Sequence, residues 1–96
     1  MTNFNILNKG EISEKLSELR GWGLAGDALH MTLIFKDFKE AIDFINKVAK
    51  IADKLNHHPQ ITNTYSKVEL LINTHEAGDK ITTLDIDFAR EVGGLL

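Results

Sequence analysis

From Phe38 to Leu55 apolar residues recur every three or four positions, and four residues later the chain's only proline, Pro59, stops the pattern. This spacing puts Phe38, Ala41, Ile42, Ile45, Val48, Ala49, Ala52 and Leu55 on one helical face. Lys39, Glu40, Asp43, Lys47, Lys50 and Lys54 fall largely on the other. Asp37 suits the N-cap, where its carboxylate can accept from free backbone N–H groups of the first turn. Pro59 has no N–H and disfavours helical geometry at His58, so the helix ends at or just before His57-His58. A helix of this kind is stable only when its apolar face is covered, so the flanking segments must supply a surface for it.

That surface is written in a different period. Leu29, Met31, Leu33 and Phe35 alternate with His30, Thr32, Ile34 and Lys36, the two-residue repeat of a half-buried strand. Gly26-Asp27 makes a tight turn, with Trp22 to Ala25 as the other arm of a hairpin. Beyond the proline, Ile61 to Tyr65 reads as a short strand. Val68 to His75 reads as a clearer one, with Val68, Leu70, Ile72 and Thr74 facing one way and Glu69, Leu71, Asn73 and His75 the other. Two shorter helices frame these elements. The first runs from Glu11 to Leu19 on Ile12, Leu16 and Leu19, with Gly21 and Gly23 at its end. The last opens on a capping box of Thr82 and Asp85, with Ile81 stapled against Ile86. It runs to about Val92 on Leu84, Phe88, Ala89 and Val92, and Gly93-Gly94 closes it. The expected fold class is α+β, in the order α-β-β-α-β-β-α, with three helices packed on one face of a four-stranded antiparallel sheet. Residues 1–96 are expected to form a single domain.

Composition excludes several kinds of chemistry. The chain has no cysteine, which removes disulfides, a thiolate nucleophile and cysteine-based zinc sites. A net charge of −3 with dispersed Lys and Arg gives no footprint for nucleic acid. No apolar run suits a bilayer and the first residues do not resemble a signal peptide, so a cytoplasmic protein without membrane partners is expected. There is no phosphate-binding glycine loop and no serine in a nucleophile-elbow context. Catalysis, if present, falls to His, carboxylates, hydroxyls and amides.

Two of the four histidines, His57 and His58, stand together before the proline. They end the long helix, where the macrodipole favours a positive charge. Adjacent side chains diverge, which gives the two separate roles. Asp53 lies four residues before His57 and is placed to orient its ring. His75, at the end of the strand from Val68, lies on the sheet face the helices leave uncovered, so three imidazoles could meet at one sheet edge. A plainer reading treats His-His-Pro as a polar helix cap followed by a stop, and His75 as a solvated strand end. A zinc centre on His57, His58 and His75 would have three ligands plus water, but adjacent histidines seldom converge on one metal. His30, without a nearby partner in sequence, reads as a surface residue.

The residues Ala52-Asp53, His57-His58-Pro59, Tyr65, Val68, Thr74-His75, Gly78 and Thr82-Thr83-Leu84-Asp85 together resemble the pattern of the pterin-4a-carbinolamine dehydratases. Trp22, Phe35, Phe38, Ala41 and Phe44 match upstream, so the resemblance spans about residues 11–92. It implies an α+β fold and an enzyme that eliminates water from a 4a-hydroxytetrahydropterin to give a quinonoid dihydropterin, with no metal or organic cofactor. It implies His57 and His75 as the catalytic acid/base pair, either one serving as the acid, and His58, Asp53 and Asp85 as substrate-binding or supporting groups. This chain carries Asp53 where many relatives have Glu, and Ile61 where many have an aromatic. Some members also serve as dimerisation cofactors for a homeodomain transcription factor, so a protein-binding role without catalysis is the alternative.

Members of that family are dimers or tetramers, and the pattern here points the same way. Phe44 and Ile51 lie off the main face of the long helix, while Ile34 and Leu71 fall on the sheet face opposite the core.

Overall fold

The computed structural model describes residues 3–96. The alternating segments become four strands: β1 (Gly23–Ala25), β2 (Ala28–Ile34), β3 (Gln60–Thr64) and β4 (Lys67–Ile72). They pair antiparallel in the order β1-β2-β4-β3. In the β2–β4 register Leu29 faces Ile72, Met31 faces Leu70 and Leu33 faces Val68, so the apolar sides of the two central strands coincide. Leu29, Met31, Val68, Leu70 and Ile72 are buried there. The other side carries His30, Thr32 and Ile34 beside Leu71, Glu69 and Lys67 and stays open. At the β3–β4 turn Tyr65 adopts a φ of 52°, and the Asn63 amide donates to the carbonyls of Tyr65 at 3.1 Å and Lys67 at 2.9 Å.

Three helices accompany the sheet: α1 (Lys9–Leu16), α2 (Phe38–Leu55) and α3 (Thr83–Gly93). α1 lies upstream of the expected Glu11–Leu19 because Asn8 and Glu11 form a capping box, with bonds of 2.9 and 3.0 Å. Leu19 is nevertheless buried, from the loop beyond the helix. Asp37 caps α2 as expected, its Oδ1 accepting from the Glu40 N–H at 2.9 Å. The buried stripe of α2 is Ala41, Phe44, Val48 and Ala52. Phe44 is therefore a core residue, in contact with the Phe35 ring at a centroid distance of 5.1 Å, whereas Phe38 and Ala49 are exposed. Apolar side chains occupy more of α2 than one stripe, and the positions of β4 and α3 select which of them turn inward. In α3 the buried residues are Asp85, Ile86, Phe88, Ala89 and Val92, with Leu84 only half-buried. Trp22 ties this helix to the first hairpin: its indole N–H donates to the Ala89 carbonyl at 3.0 Å and its ring meets Phe88 edge-on.

β4 stops at Ile72, three residues short of the expected strand end at His75. Its neighbours run out at that point, since Ile72 pairs with Leu29 and Leu71 with Gln60, and β2 then reaches its hairpin turn. Asn73 leaves the ladder, Thr74 pairs with Lys80 in an isolated bridge, and His75–Ala77 forms a 3-10 turn. No helix among the described residues is long and apolar enough to cross a membrane.

Phe88 is wholly buried and Phe38 half-exposed, so their truncation separates core from surface. Phe88→Ala is expected to lower the unfolding free energy by about 3–5 kcal/mol. Phe38→Ala is expected to cost less than about 1 kcal/mol, both read from urea midpoints at constant m-value. Equal losses would contradict the orientation of α2 given above.

Candidate active site

Helix α2 ends at Asn56, whose φ of 50° and ψ of 43° place it in the left-handed region that Asn tolerates. The His57 N–H then bonds back to the Ala52 carbonyl at 3.0 Å, a six-to-one closure of the helix. The turn sends the two consecutive imidazoles to different partners. His57 Nε2 lies 2.6 Å from Asp85 Oδ1, at the start of α3. His58 Nε2 lies 3.0 Å from Asp53 Oδ1, back on α2. The expectation that Asp53 would orient His57 is thus corrected. Four residues separate them, but the left-handed Asn56 takes His57 off the helical path, and Asp53 meets His58.

His75 opens the 3-10 turn rather than ending a strand, and its Nδ1 lies 2.7 Å from Asp79 Oδ1. Each of these three histidines has its own carboxylate, and the pairs differ in their access to water. The His57 and Asp85 side chains are 11% and 0% exposed, His58 and Asp53 57% and 82%, and His75 and Asp79 94% and 61%. Only the His57–Asp85 pair is shielded enough for its Coulombic and hydrogen-bond energy to escape strong screening.

One cavity of about 200 Å³ is lined by His57, His58 and His75 together with Asn73, Glu76 and Leu84. A second of about 260 Å³ shares His58, Asn73 and His75 and reaches Gln60 and Leu71. The two hollows meet along the His58–His75 rim. His30 lines neither; it lies half-buried on the open sheet face with Nε2 3.4 Å from Thr32 Oγ1. A larger hollow of about 520 Å³ lies elsewhere, between α1 and the first hairpin, but it is walled mainly by Leu7, Ile12, Leu24 and Ile81 and holds no histidine. Among the described residues no group of three or more His, Asp or Glu is arranged to hold a metal ion.

Asp85 sits behind the cavity rather than in it. Its Oδ2 accepts from the Thr82 backbone N–H and from Thr74 Oγ1, each at 2.8 Å. The Thr74 and Thr82 hydroxyls are 2.6 Å apart. Thr74, Thr82 and Asp85 are all buried, and no buried side-chain nitrogen or oxygen among the described residues lacks a partner. Asp85, expected among the substrate-binding groups, is 0% exposed and does not line the cavity, and its contacts with cavity residues are those to His57 and Thr74. The capping-box spacing of Thr82 and Asp85 was a signal for this group, but Thr74 read only as an inward strand residue. Asp79 was missed as well, although it lies four residues after His75.

The sequence model of a family described as Pterin 4 alpha carbinolamine dehydratase matches residues 5–95 of this chain. A protein of Sulfurisphaera tokodaii named "Putative pterin-4-alpha-carbinolamine dehydratase" is 46% identical over 90 residues, covering 94% of this chain and 96% of that protein. One of the same name from Thermomicrobium roseum is 47% identical over 89 residues, covering 93% and 95%. Among solved structures, a transcriptional coactivator/pterin dehydratase from Brucella melitensis superposes with a TM-score of 0.88 at 35% identity, covering 95% of this chain and 98% of that one.

The two aspartates paired with the histidines of the His-His-Pro run should differ sharply in structural weight. Asp85→Ala strands the Thr74 hydroxyl and the Thr82 N–H in the interior, with an expected loss of at least about 2 kcal/mol. Asp53→Ala, on an exposed helix face, is expected to leave the unfolding midpoint where it was. Chemical denaturation of the two variants beside wild type measures both, and an Asp85→Ala protein as stable as wild type would refute the buried network.

Proposed function

Because the chain belongs to the pterin-4a-carbinolamine dehydratase family, we propose that it eliminates water from a 4a-hydroxytetrahydropterin by histidine acid/base catalysis and so serves tetrahydropterin recycling. The observation that carries this reading is the convergence of His57, His58 and His75, from two separate stretches of sequence, on one cavity. The reaction needs two proton transfers and no redox step. The carbinol C–O bond breaks with its electron pair on oxygen, which takes a proton from one imidazole and leaves as water. A ring nitrogen gives its proton to another imidazole, and the pair released closes the C=N bond. Imidazole is suited to both transfers near neutral pH.

His57 and His75 are the acid/base pair. His57 is shielded and held by a buried carboxylate; His75 contributes from the 3-10 turn, steadied by Asp79. His58 positions the substrate at the rim shared by the two hollows, with Asp53 holding its ring. Asp85 supports His57 from behind. The coactivator term in the name of the Brucella structure belongs to that protein; a binding role alone would leave the three-histidine cavity without a use.

The protein acts as a homo-oligomer, a dimer or tetramer. Of the four apolar residues expected to drive association, Phe44 is buried, and Ile51 and Leu71 are half-buried and supply little free surface. Ile34 remains 71% exposed, and Phe38 and Tyr65 are exposed near it, at the end of the sheet remote from the histidines. Static light scattering at micromolar concentration should give a multiple of the 10.8 kDa chain mass, and a monomeric mass overturns this part.

In an assay of 4a-hydroxypterin dehydration, His57→Ala and His75→Ala are each expected to lower kcat by about 10²–10⁴-fold. His58→Ala should raise KM more than it lowers kcat, the mark of lost ground-state binding. His30→Ala should match wild type in both constants. A crippled His30→Ala beside an unimpaired His57→Ala would place the site elsewhere.

A further inference from the structure

The hydrogen bonds around Asp85 have a direction that the distances alone do not state. A carboxylate oxygen only accepts, so the Thr74 hydroxyl spends its single proton on Asp85 Oδ2. The 2.6 Å contact between Thr74 and Thr82 must then be donated by Thr82. The Thr82 oxygen in turn accepts from the Leu84 N–H at 3.2 Å. The chain runs one way, from Leu84 N–H through the two hydroxyls to the carboxylate, and the Thr82 N–H adds a second donor to the same oxygen at 2.8 Å.

Two donors are committed to Oδ2, which leaves Oδ1 as the acceptor facing His57. The ring nitrogen at 2.6 Å from Oδ1, Nε2, must therefore carry the proton. Among the described residues nothing bonds the other ring nitrogen, Nδ1, and no fully buried side-chain nitrogen lacks a partner, so Nδ1 keeps some exposure on a residue that lines the cavity. We infer that Thr74, oriented by Thr82, is a positioning residue that holds His57 as the Nε2–H tautomer with a bare, accessible Nδ1, making His57 the proton acceptor of the site.

The consequence for the chemistry rests on the dehydratase reading: His57 Nδ1 takes the proton of the pterin ring nitrogen, and His75 supplies the proton with which the hydroxyl leaves as water. Thr82 does not line the cavity, and Thr74, although it borders it, is only 3% exposed with its hydroxyl committed to Asp85. Their contribution is made through Asp85, by keeping its Oδ1 an acceptor and the imidazole that lines the cavity in one tautomer.

The experiment has two arms. In the first, long-range ¹H–¹⁵N spectra of the labelled wild-type protein above neutral pH report the tautomer of each histidine without any substrate. His57 is expected to show a slowly exchanging Nε2–H proton far downfield and an Nδ1 with the shift of a bare nitrogen, whereas His30 should show neither a protected proton nor a single tautomer. An Nδ1–H tautomer at His57, or the averaged behaviour of His30, overturns the inference. In the second arm, Thr74→Val should weaken protection of the His57 Nε2–H and lower dehydration kcat by about tenfold with KM little changed. Thr74→Ser, which restores the hydroxyl, should recover both. A Ser variant as impaired as the Val variant, or a loss confined to KM, also overturns it. Absence of any dehydratase activity in the wild type would sink the functional reading while the spectra still decided the tautomer.

Discussion

A single buried carboxylate joins three parts of this protein beside its histidine-lined cavity. Asp85 caps its own helix by accepting from the Thr82 N–H, ties in the segment leaving β4 through the Thr74 hydroxyl, and receives the imidazole that ends α2. Three elements far apart in sequence thus close on two oxygen atoms. Burying a carboxylate is costly unless its acceptor capacity is filled, and here each oxygen has a polar partner within 2.8 Å. That requirement makes the junction selective: any shift of α3 against β4, or of the α2 terminus against α3, leaves a charged group unpaired in the interior.

The hydrophobic framework delivers these pieces to one place. Pairing of β2 with β4 creates the apolar sheet face, and α2 and α3 pack over it through Val48, Ala52, Phe88 and Val92. The same register ends both ladders of β4 near Ile72, which releases Asn73, Thr74 and His75 from the sheet beside the C-terminal end of α2. The left-handed Asn56 then separates His57 from His58, one toward a buried partner and the other toward a solvated one. Exposure rises from His57 to His58 to His75, so three chemically identical side chains are given three environments. This differentiation is what the proposed acid/base roles at one cavity require of them.

Much of this was legible in one dimension. The change of apolar period from four to two and back, the cap at Asp37, the stop at Pro59 and the Thr82–Asp85 capping box each rest on interactions within a few residues, and each is found where the sequence put it. The family pattern around His57-His58-Pro59 and Thr74-His75 is equally local. What could not be read was set by partners distant in sequence. Phe44 rather than Phe38 turned inward because α2 carries apolar groups on more than one stripe and only the sheet and α3 choose among them. β4 ended early because its neighbours ended, not because its own alternation failed.

By itself the sequence determined the element order, the fold class and the identity of the three histidines, since periodicity, capping and turn chemistry act over a few bonds and survive in any packing. Tertiary structure alone decided which carboxylate each histidine meets. Asp53 is closer to His57 along the chain than Asp85 is, yet Asp85 takes it, because the left-handed helix terminus and the docking of α3 place the buried oxygen 2.6 Å away. Proximity in sequence specifies contact only while the backbone remains helical; beyond Asn56, contact is a property of how the helices pack on the sheet.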